Sequence, residues 1–298
     1  MLSTGSRAVI IGVTRYSGPL YQALKQTGQG CGSILARFGV GHDGVDKTMA
    51  RQNGVTVCNT PGVLDLSVAE HAFWLMGNLA RRLSRSEARL RAGEFAGETG
   101  GELHGKRLGV LGFGRIGRRV AAMAHFGFGM SVRAADVMRM ADLEAQEKRP
   151  AAEIQQAYGL DLYTNDNESL LRECDFLTIH LPAMPATHHF INAARLGLMK
   201  ASAAVINTAR GSLLDEAALF DALAGGRLAG AALDVFEHEP YRPVAPGKDL
   251  RQLPNVVMTP HIGSNTREAN QRMAEACLAN LTHFFAGTFD RLTQVPVA

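Results

Sequence analysis

The chain has 298 residues, of which 46% are hydrophobic and 20% charged, with a formal net charge of +3. That length allows one or two domains with a large core, and so small a charge argues against a nucleic-acid partner. No run of about 18 apolar residues occurs, so no membrane span is expected. The opening residues Met1-Leu2-Ser3-Thr4-Gly5-Ser6-Arg7 lack the apolar stretch of a secretory signal, which predicts a cytoplasmic protein. Cys31, Cys58, Cys174 and Cys277 are scattered with no C-x-x-C pair and read as free thiols.

In chain order, apolar runs at residues 8–13, 33–38 and 55–59 predict strands of a small α/β segment, residues 1–67. Residues 68–91 predict one long helix. Arg81, Arg85 and Arg89 recur along one face of it, as a solvated surface or a subunit contact. The Gly-rich stretch 97–105 predicts a linker. Strands at 107–111, 130–135, 175–181, 203–207 and 230–235 then alternate with helices at 116–126, 193–200 and 215–224, the last stopped by Gly225-Gly226. Residues 266–285 predict a final long helix. This βαβα order predicts an α/β fold: a Rossmann-type, doubly wound parallel sheet with a second, smaller domain. The larger domain is expected over 76–262. The smaller is expected over 1–75 with 263–298, and the active site in the cleft between the two.

Two G-x-G-x-x-G patterns are present, and alone neither carries much weight. One, Gly39 to Gly44, has no acid at the end of its next strand, which closes on Asn59-Thr60-Pro61, and reads as a ligand loop or a plain turn. The other, Gly112-Phe113-Gly114-Arg115-Ile116-Gly117, follows a predicted strand and opens a predicted helix. There Gly112 permits the turn, Gly114 lets the backbone approach a pyrophosphate, and Gly117 lets helix and strand pack. Arg115 and Ile116 begin the helix, whose N-terminus favours phosphate. Asp136 ends the next strand, nineteen residues beyond Gly117. A carboxylate there accepts ribose hydroxyls and repels a 2′-phosphate, which predicts NAD rather than NADP, with Arg139 pulling the other way.

Later strands run into polar residues: Thr208-Ala209-Arg210-Gly211, Asp234 to Pro240, and Pro260-His261-Ile262-Gly263. In a parallel sheet Arg210, Glu239 and His261 would converge on one edge. A histidine donates a proton to a carbonyl oxygen near neutral pH, a paired carboxylate orients it, and an arginine grips a carboxylate. A metal site is not expected, since no H-x-x-x-H pattern occurs.

Together these residues resemble the D-isomer-specific 2-hydroxyacid dehydrogenase family, which includes D-3-phosphoglycerate dehydrogenases and glyoxylate/hydroxypyruvate reductases. The resemblance runs over residues 35–285 through the ordered motifs ARFGVGHDGVD, VCNTPGV, SVAEHAF, GKRLGVLGFGRIG, DFLTIHLP, INTARGSLLDE, AGAALDVFEHEP and LPNVVMTPHIGS. It implies a flavodoxin-like small domain and NAD-linked hydride transfer between the cofactor and a small 2-oxo or D-2-hydroxy acid. Arg210 would bind substrate, Glu239 would pair with the histidine, and His261 would be the general acid/base. Asp234 would hold the nicotinamide carboxamide and Asp136 the adenosine ribose. His180, Leu181 and Pro182 would border the adenine, and Thr208 would join the cofactor site. Val40 and Gly41 would hold the substrate carboxylate, and the long helix would carry a homodimer contact. Arg15 and Arg37 are the cations available to a phosphorylated substrate. Family members carry more residues ahead of the RFGVG loop, so the small domain is expected to lack its first strand and helix and to expose a sheet edge. Residues 140–159 are longer than usual. Two rivals stand beside this reading: an NAD-binding, corepressor-like sensor without turnover, and a formate-dehydrogenase-like activity, whose usual Gln is replaced here by Glu239.

Overall fold

A computed structural model describes residues 5–28 and 32–296; Cys31 lies outside the described residues. The chain divides into two compact units, residues 1–64 with 264–298, and residues 65–263. The boundary thus falls at Leu64/Asp65 rather than at 75/76, because the helix that begins at Asp65 is continuous through that point.

The smaller unit begins with β1 (Ala8–Ile11), α1 (Gly18–Gly28), β2 (Ser33–Arg37), α2 (Lys47–Gln52) and β3 (Val55–Cys58). The strands form a parallel sheet in the order β1-β2-β3. Tyr21, Leu24, Leu35, Val55 and Val57 fill its core. The buried Tyr21 keeps its hydroxyl satisfied by accepting the Asp46 N–H at 2.8 Å.

The larger unit continues with α3 (Asp65–Arg81) and α4 (Leu83–Arg91). One helix was expected here. Arg82 instead adopts a left-handed conformation (φ 54°) and breaks it, and Asn78 braces the break by accepting the Ser84 N–H at 2.9 Å. The break rephases the arginines. Arg82, Arg85 and Arg89, not the expected Arg81-Arg85-Arg89 row, converge on Glu98. That glutamate lies in the irregular stretch predicted as a linker.

Next come β4 (Arg107–Leu111), α5 (Arg115–Ala122) with a π-turn at Met123–Gly127, β5 (Ser131–Ala135), α6 (Met140–Glu147), α7 (Ala151–Tyr158) and β6 (Leu160–Thr164). The long stretch 140–159 is therefore two short helices parted at Lys148 (φ 54°), and β6 was not foreseen. It is an edge strand with exposed Asp161 and Leu162, so it lacks the apolar run of its neighbours. The unit ends with α8 (Asn167–Glu173), β7 (Phe176–Ile179), α9 (Ala193–Leu196), β8 (Ala204–Asn207), α10 (Glu216–Ala224), β9 (Gly230–Leu233) and β10 (Val256–Met258).

The seven strands are all parallel, in the order β10-β9-β8-β7-β4-β5-β6. Strand order reverses at β4 and β7. In such a sheet ligands bind beyond the carboxyl ends of the strands, at that reversal. Apolar residues of β4, β5, β7, β8 and β9, Phe176 apart, are buried in two clusters, one led by Leu177, Val205 and Leu233 and the other by Leu108, Val110 and Val132. This fits strands covered on both faces.

The chain returns to the smaller unit through α11 (Arg267–Phe285), capped by Thr266, whose hydroxyl accepts the Ala269 N–H. The tail then runs antiparallel beside β3, with Val295 N–H donating to Val57 O at 2.8 Å, and covers that sheet edge.

Candidate active site

The turn after β4 is built as its glycines predict. Gly112 has φ +95°, and a Cβ there would lie 2.6 Å from His180 O. A Cβ on Gly117 would lie 2.2 Å from Gly112 O, so only glycine lets α5 sit against the strand end. Gly114 has open space around it. It is the helix N-cap without a side-chain bond, and the first intrahelical bond here is Arg118 N–H to Gly114 O at 3.0 Å. The N–H groups of Arg115, Ile116 and Gly117 are thus at the helix N-terminus with no intrahelical acceptor. This cradle fits a dinucleotide pyrophosphate.

Asp136 ties the turn to β5. Its Oδ2 accepts the Phe113 N–H at 2.6 Å and its Oδ1 the Met138 N–H at 3.0 Å. Each oxygen keeps a lone pair for a ribose hydroxyl. The nearby cations have acidic partners: Arg139 bonds Asp142 at 3.0 Å, and Arg118 bonds Glu147. Loss of hydration pushes the His180 imidazole down to about 3, so it is neutral, with Nε2 2.9 Å from Thr178 Oγ1. Leu181 and Pro182 follow it, half-buried and exposed. Thr208 is buried, and its hydroxyl has no partner among the described residues.

At the ends of β8, β9 and β10 the three polar positions come together. His261 Nδ1 lies 2.7 Å from Glu239 Oε2, so Nε2 is the ring nitrogen left for other chemistry. Glu239 Oε1 accepts the Phe236 N–H at 3.1 Å. Burial pushes the Glu239 carboxyl up, but the hydrogen bond and charge of His261, the Phe236 N–H and the charge of Arg210 outweigh it and hold it below its ordinary value. Arg210 is brought close by its neighbour. A Cβ on Gly211 would lie 1.9 Å from Phe236 C, so the two backbones touch. His261 has φ 53°, an unfavourable conformation for a non-glycine residue. Its N–H donates to Asp234 O at 2.8 Å.

The side chain of Asp234, to which the resemblance assigns the nicotinamide carboxamide, is surrounded by protein donors. It is 1% exposed. Its Oδ1 accepts from Thr259 Oγ1 (2.6 Å), Ile262 N–H (2.9 Å) and His71 Nε2 (3.2 Å), and its Oδ2 from Gly263 N–H (2.8 Å). The carboxylate therefore fixes the loop that carries His261. Burial pushes its pKa up, but these donors, His71 first, bring it below the ordinary value.

The family model for the D-isomer-specific 2-hydroxyacid dehydrogenase NAD-binding domain matches residues 73–263. The chain belongs to the D-isomer-specific 2-hydroxyacid dehydrogenase family. It is 41% identical to a glyoxylate reductase of Thermococcus litoralis over 85% of this chain and 74% of that one. Its fold is similar to an NADPH-dependent glyoxylate/hydroxypyruvate reductase of Sinorhizobium meliloti in complex with NADP and malonate: TM-score 0.79, 32% identity, 97% and 84% of the two chains. It is also similar to a D-lactate dehydrogenase of Lactobacillus jensenii with NAD+: TM-score 0.74, 27% identity, 94% and 84%. The protein is an NAD(P)-dependent dehydrogenase of 2-hydroxy acids.

The remaining positions of the dehydrogenase divide by visibility. His71 and Thr259 were missed as Asp234 partners, although both lie in the motifs SVAEHAF and LPNVVMTPHIGS. Their signal was the motif alone, because 163 residues separate His71 from Asp234. Val40 and Gly41 sit in the smaller unit. There Asn59 Nδ2 donates to Val40 O at 2.9 Å and Thr60 N–H to Gly39 O at 3.1 Å, while the N–H groups of Val40 and Gly41 have no acceptor among the described residues. A recess of about 410 Å³ opens beside Lys106, Asp175, Ser202 and Asn255. These lie before the strands, at the edge opposite the chemistry. Among the described residues no cluster of His, Cys, Asp and Glu could hold a metal ion, and no helix is long and apolar enough to cross a membrane.

Proposed function

We propose that the enzyme reduces a small 2-oxo acid of the glyoxylate or hydroxypyruvate class to the 2-hydroxy acid, with NADH preferred over NADPH. The observation that carries this reading is the 2.7 Å contact of His261 Nδ1 with Glu239. NADH, when bound, supplies the hydride. The residues that would hold it are Gly112, Gly114, Arg115, Ile116 and Gly117 at the pyrophosphate and Asp136 at the ribose. His180, Leu181 and Pro182 would border the adenine, and Thr208 would complete the site.

His261 Nε2 delivers a proton to the substrate oxygen as negative charge develops there, and takes it back in the reverse direction. Glu239, ionised through the neutral range, fixes the imidazole by Nδ1 and stabilises the imidazolium. Arg210 binds the substrate carboxylate. On this reading the N–H groups of Val40 and Gly41 are available to a substrate carboxylate. Asp234 acts by holding the His261 loop. The preference for NADH is supported by Asp136 and by the engagement of Arg139 with Asp142 and of Arg118 with Glu147. Among the cations considered for a phosphorylated substrate, Arg37 is buried and Arg15 exposed, which favours an unphosphorylated acid.

The smaller unit is the substrate-binding domain in this reading. The enzyme works as a homodimer, a state supported by the exposed apolar side chains Trp74, Phe95, Phe126 and Phe128 of the larger unit. A cytoplasmic location is supported by the free, buried thiols of Cys58, Cys174 and Cys277. The test is NADH and NADPH oxidation with glyoxylate, hydroxypyruvate, pyruvate and 3-phosphohydroxypyruvate. The expected result is highest kcat/KM for glyoxylate or hydroxypyruvate with NADH. Highest kcat/KM for the phosphorylated acid, or with NADPH, contradicts the assignment.

A further inference from the structure

Glu216 opens α10, directly after the cap Asp215, and is 3% exposed. Its Oε1 accepts the Glu237 N–H at 2.6 Å, while Glu237 Oε1 accepts the Glu216 N–H at 3.1 Å. These reciprocal bonds clamp the helix start to the turn after β9, and two residues further along that turn stands Glu239. Gly211 abuts Phe236 in the same turn. The second carboxyl oxygen of Glu216, Oε2, is buried and has no hydrogen-bond partner among the described residues. A buried oxygen without a donor is disfavoured as an anion and tolerated as a neutral acid.

The titratable and charged groups around Glu216 come from several elements. Glu237, Glu239 and Tyr241 belong to the turn and its continuation. His189, from the loop after β7, pairs with Glu237 Oε2 at 3.0 Å. On its own helix, Asp215 accepts the Ala218 N–H, and Lys248 reaches Ala217 O and Asp221. Beyond Glu239 stand His261 and Arg210.

We propose that Glu216 is a positioning residue for the proton transfer. As a neutral acid it clamps the turn that carries Glu239, and on ionising it adds a negative charge behind the Glu239–His261 pair. The proposal rests on His261 as the proton donor. Burial above all, with the charges of Glu237 and Glu239, pushes the Glu216 carboxyl up to about 7 against the lowering effect of the Glu237 N–H. Its charge therefore changes near neutral pH. Above that value the added anion favours the imidazolium of His261, the form that donates the proton, and so extends reduction to higher pH.

The test compares wild type with Glu216→Gln, which keeps an acceptor for the Glu237 N–H and cannot ionise. In the pH profile of kcat for 2-oxo acid reduction, the two agree within about twofold near pH 6, and the alkaline limb of the variant moves down by about half a pH unit with KM unchanged. Superimposable profiles, or a uniform loss at every pH, overturn the proposal.

An infrared difference titration without substrate gives a second readout. Wild type should lose a protonated-carboxyl band as pH rises through about 7, a band that Glu216→Gln lacks. Absence of that band in wild type also overturns the proposal, even where the variant fails to fold. A wild type that binds NADH but reduces no 2-oxo acid counts against the proposed reduction instead, and the infrared titration still decides the ionisation of Glu216.

Discussion

His261 owes its position to Asp234, which holds its loop. Its loop is held by four donors on the buried Asp234 and by a main-chain bond to Asp234 O. Replacing Asp234 with Asn removes a charge that these donors stabilise, at a cost of about 2–4 kcal/mol. Chemical denaturation of Asp234→Asn should show that loss at neutral pH, together with a fall in kcat larger than the change in the NADH dissociation constant. The sign with pH follows from the depressed carboxyl. The stabilisation is complete above the unfolded value of 3.8 and is lost as pH falls below it through the folded value. The gap between wild type and variant should therefore narrow in acid, and a gap constant with pH would contradict this role. Of these residues Arg210, Glu239 and His261 were legible because each closes a strand with a polar motif. Asp234 stood out in its motif but its partners did not, since His71 comes from a helix far away in sequence.

Among the elements, the turn that enters α10 does the most to assemble the site. Gly211 allows the backbone after β8 to touch that after β9. Gly211→Ala should separate Arg210 from Glu239. We expect a destabilisation of about 1–3 kcal/mol in denaturant unfolding and a rise in KM for the 2-oxo acid exceeding any change for NADH. Equal, small effects on both ligands would argue that the contact serves stability only. The strand–turn–helix of residues 107–122 was readable in full, since glycine spacing, the preceding apolar run and Asp136 all agree there. Strand β6 was not, because an edge strand with Asp161 outward carries no unbroken apolar signal. The break at Arg82 was hidden too, because nothing in Ala80-Arg81-Arg82-Leu83 marks a stop. It is stabilised by Asn78 and Ser84, on either side of the break, and by Glu98 further along.

For the whole molecule, two parallel sheets in two compact units carry the family's fold, and the larger unit contains Arg210, Glu239 and His261 complete. The exposed Trp74 and Phe95, 75% and 98% accessible, argue for a second copy on that unit. Sedimentation velocity should give twice the mass of the chain for wild type and a shift toward monomer for Trp74→Glu; a monomeric wild type would contradict the dimer. In the proposed mechanism His261, held by Glu239, carries the proton that accompanies hydride transfer. The most direct measurement is the rate of glyoxylate reduction by wild type and by His261→Ala, with NADH binding measured on both by calorimetry. NADH affinity should be unchanged and kcat lower by about 10²–10⁴ in the variant. An unchanged kcat in His261→Ala would contradict this mechanism.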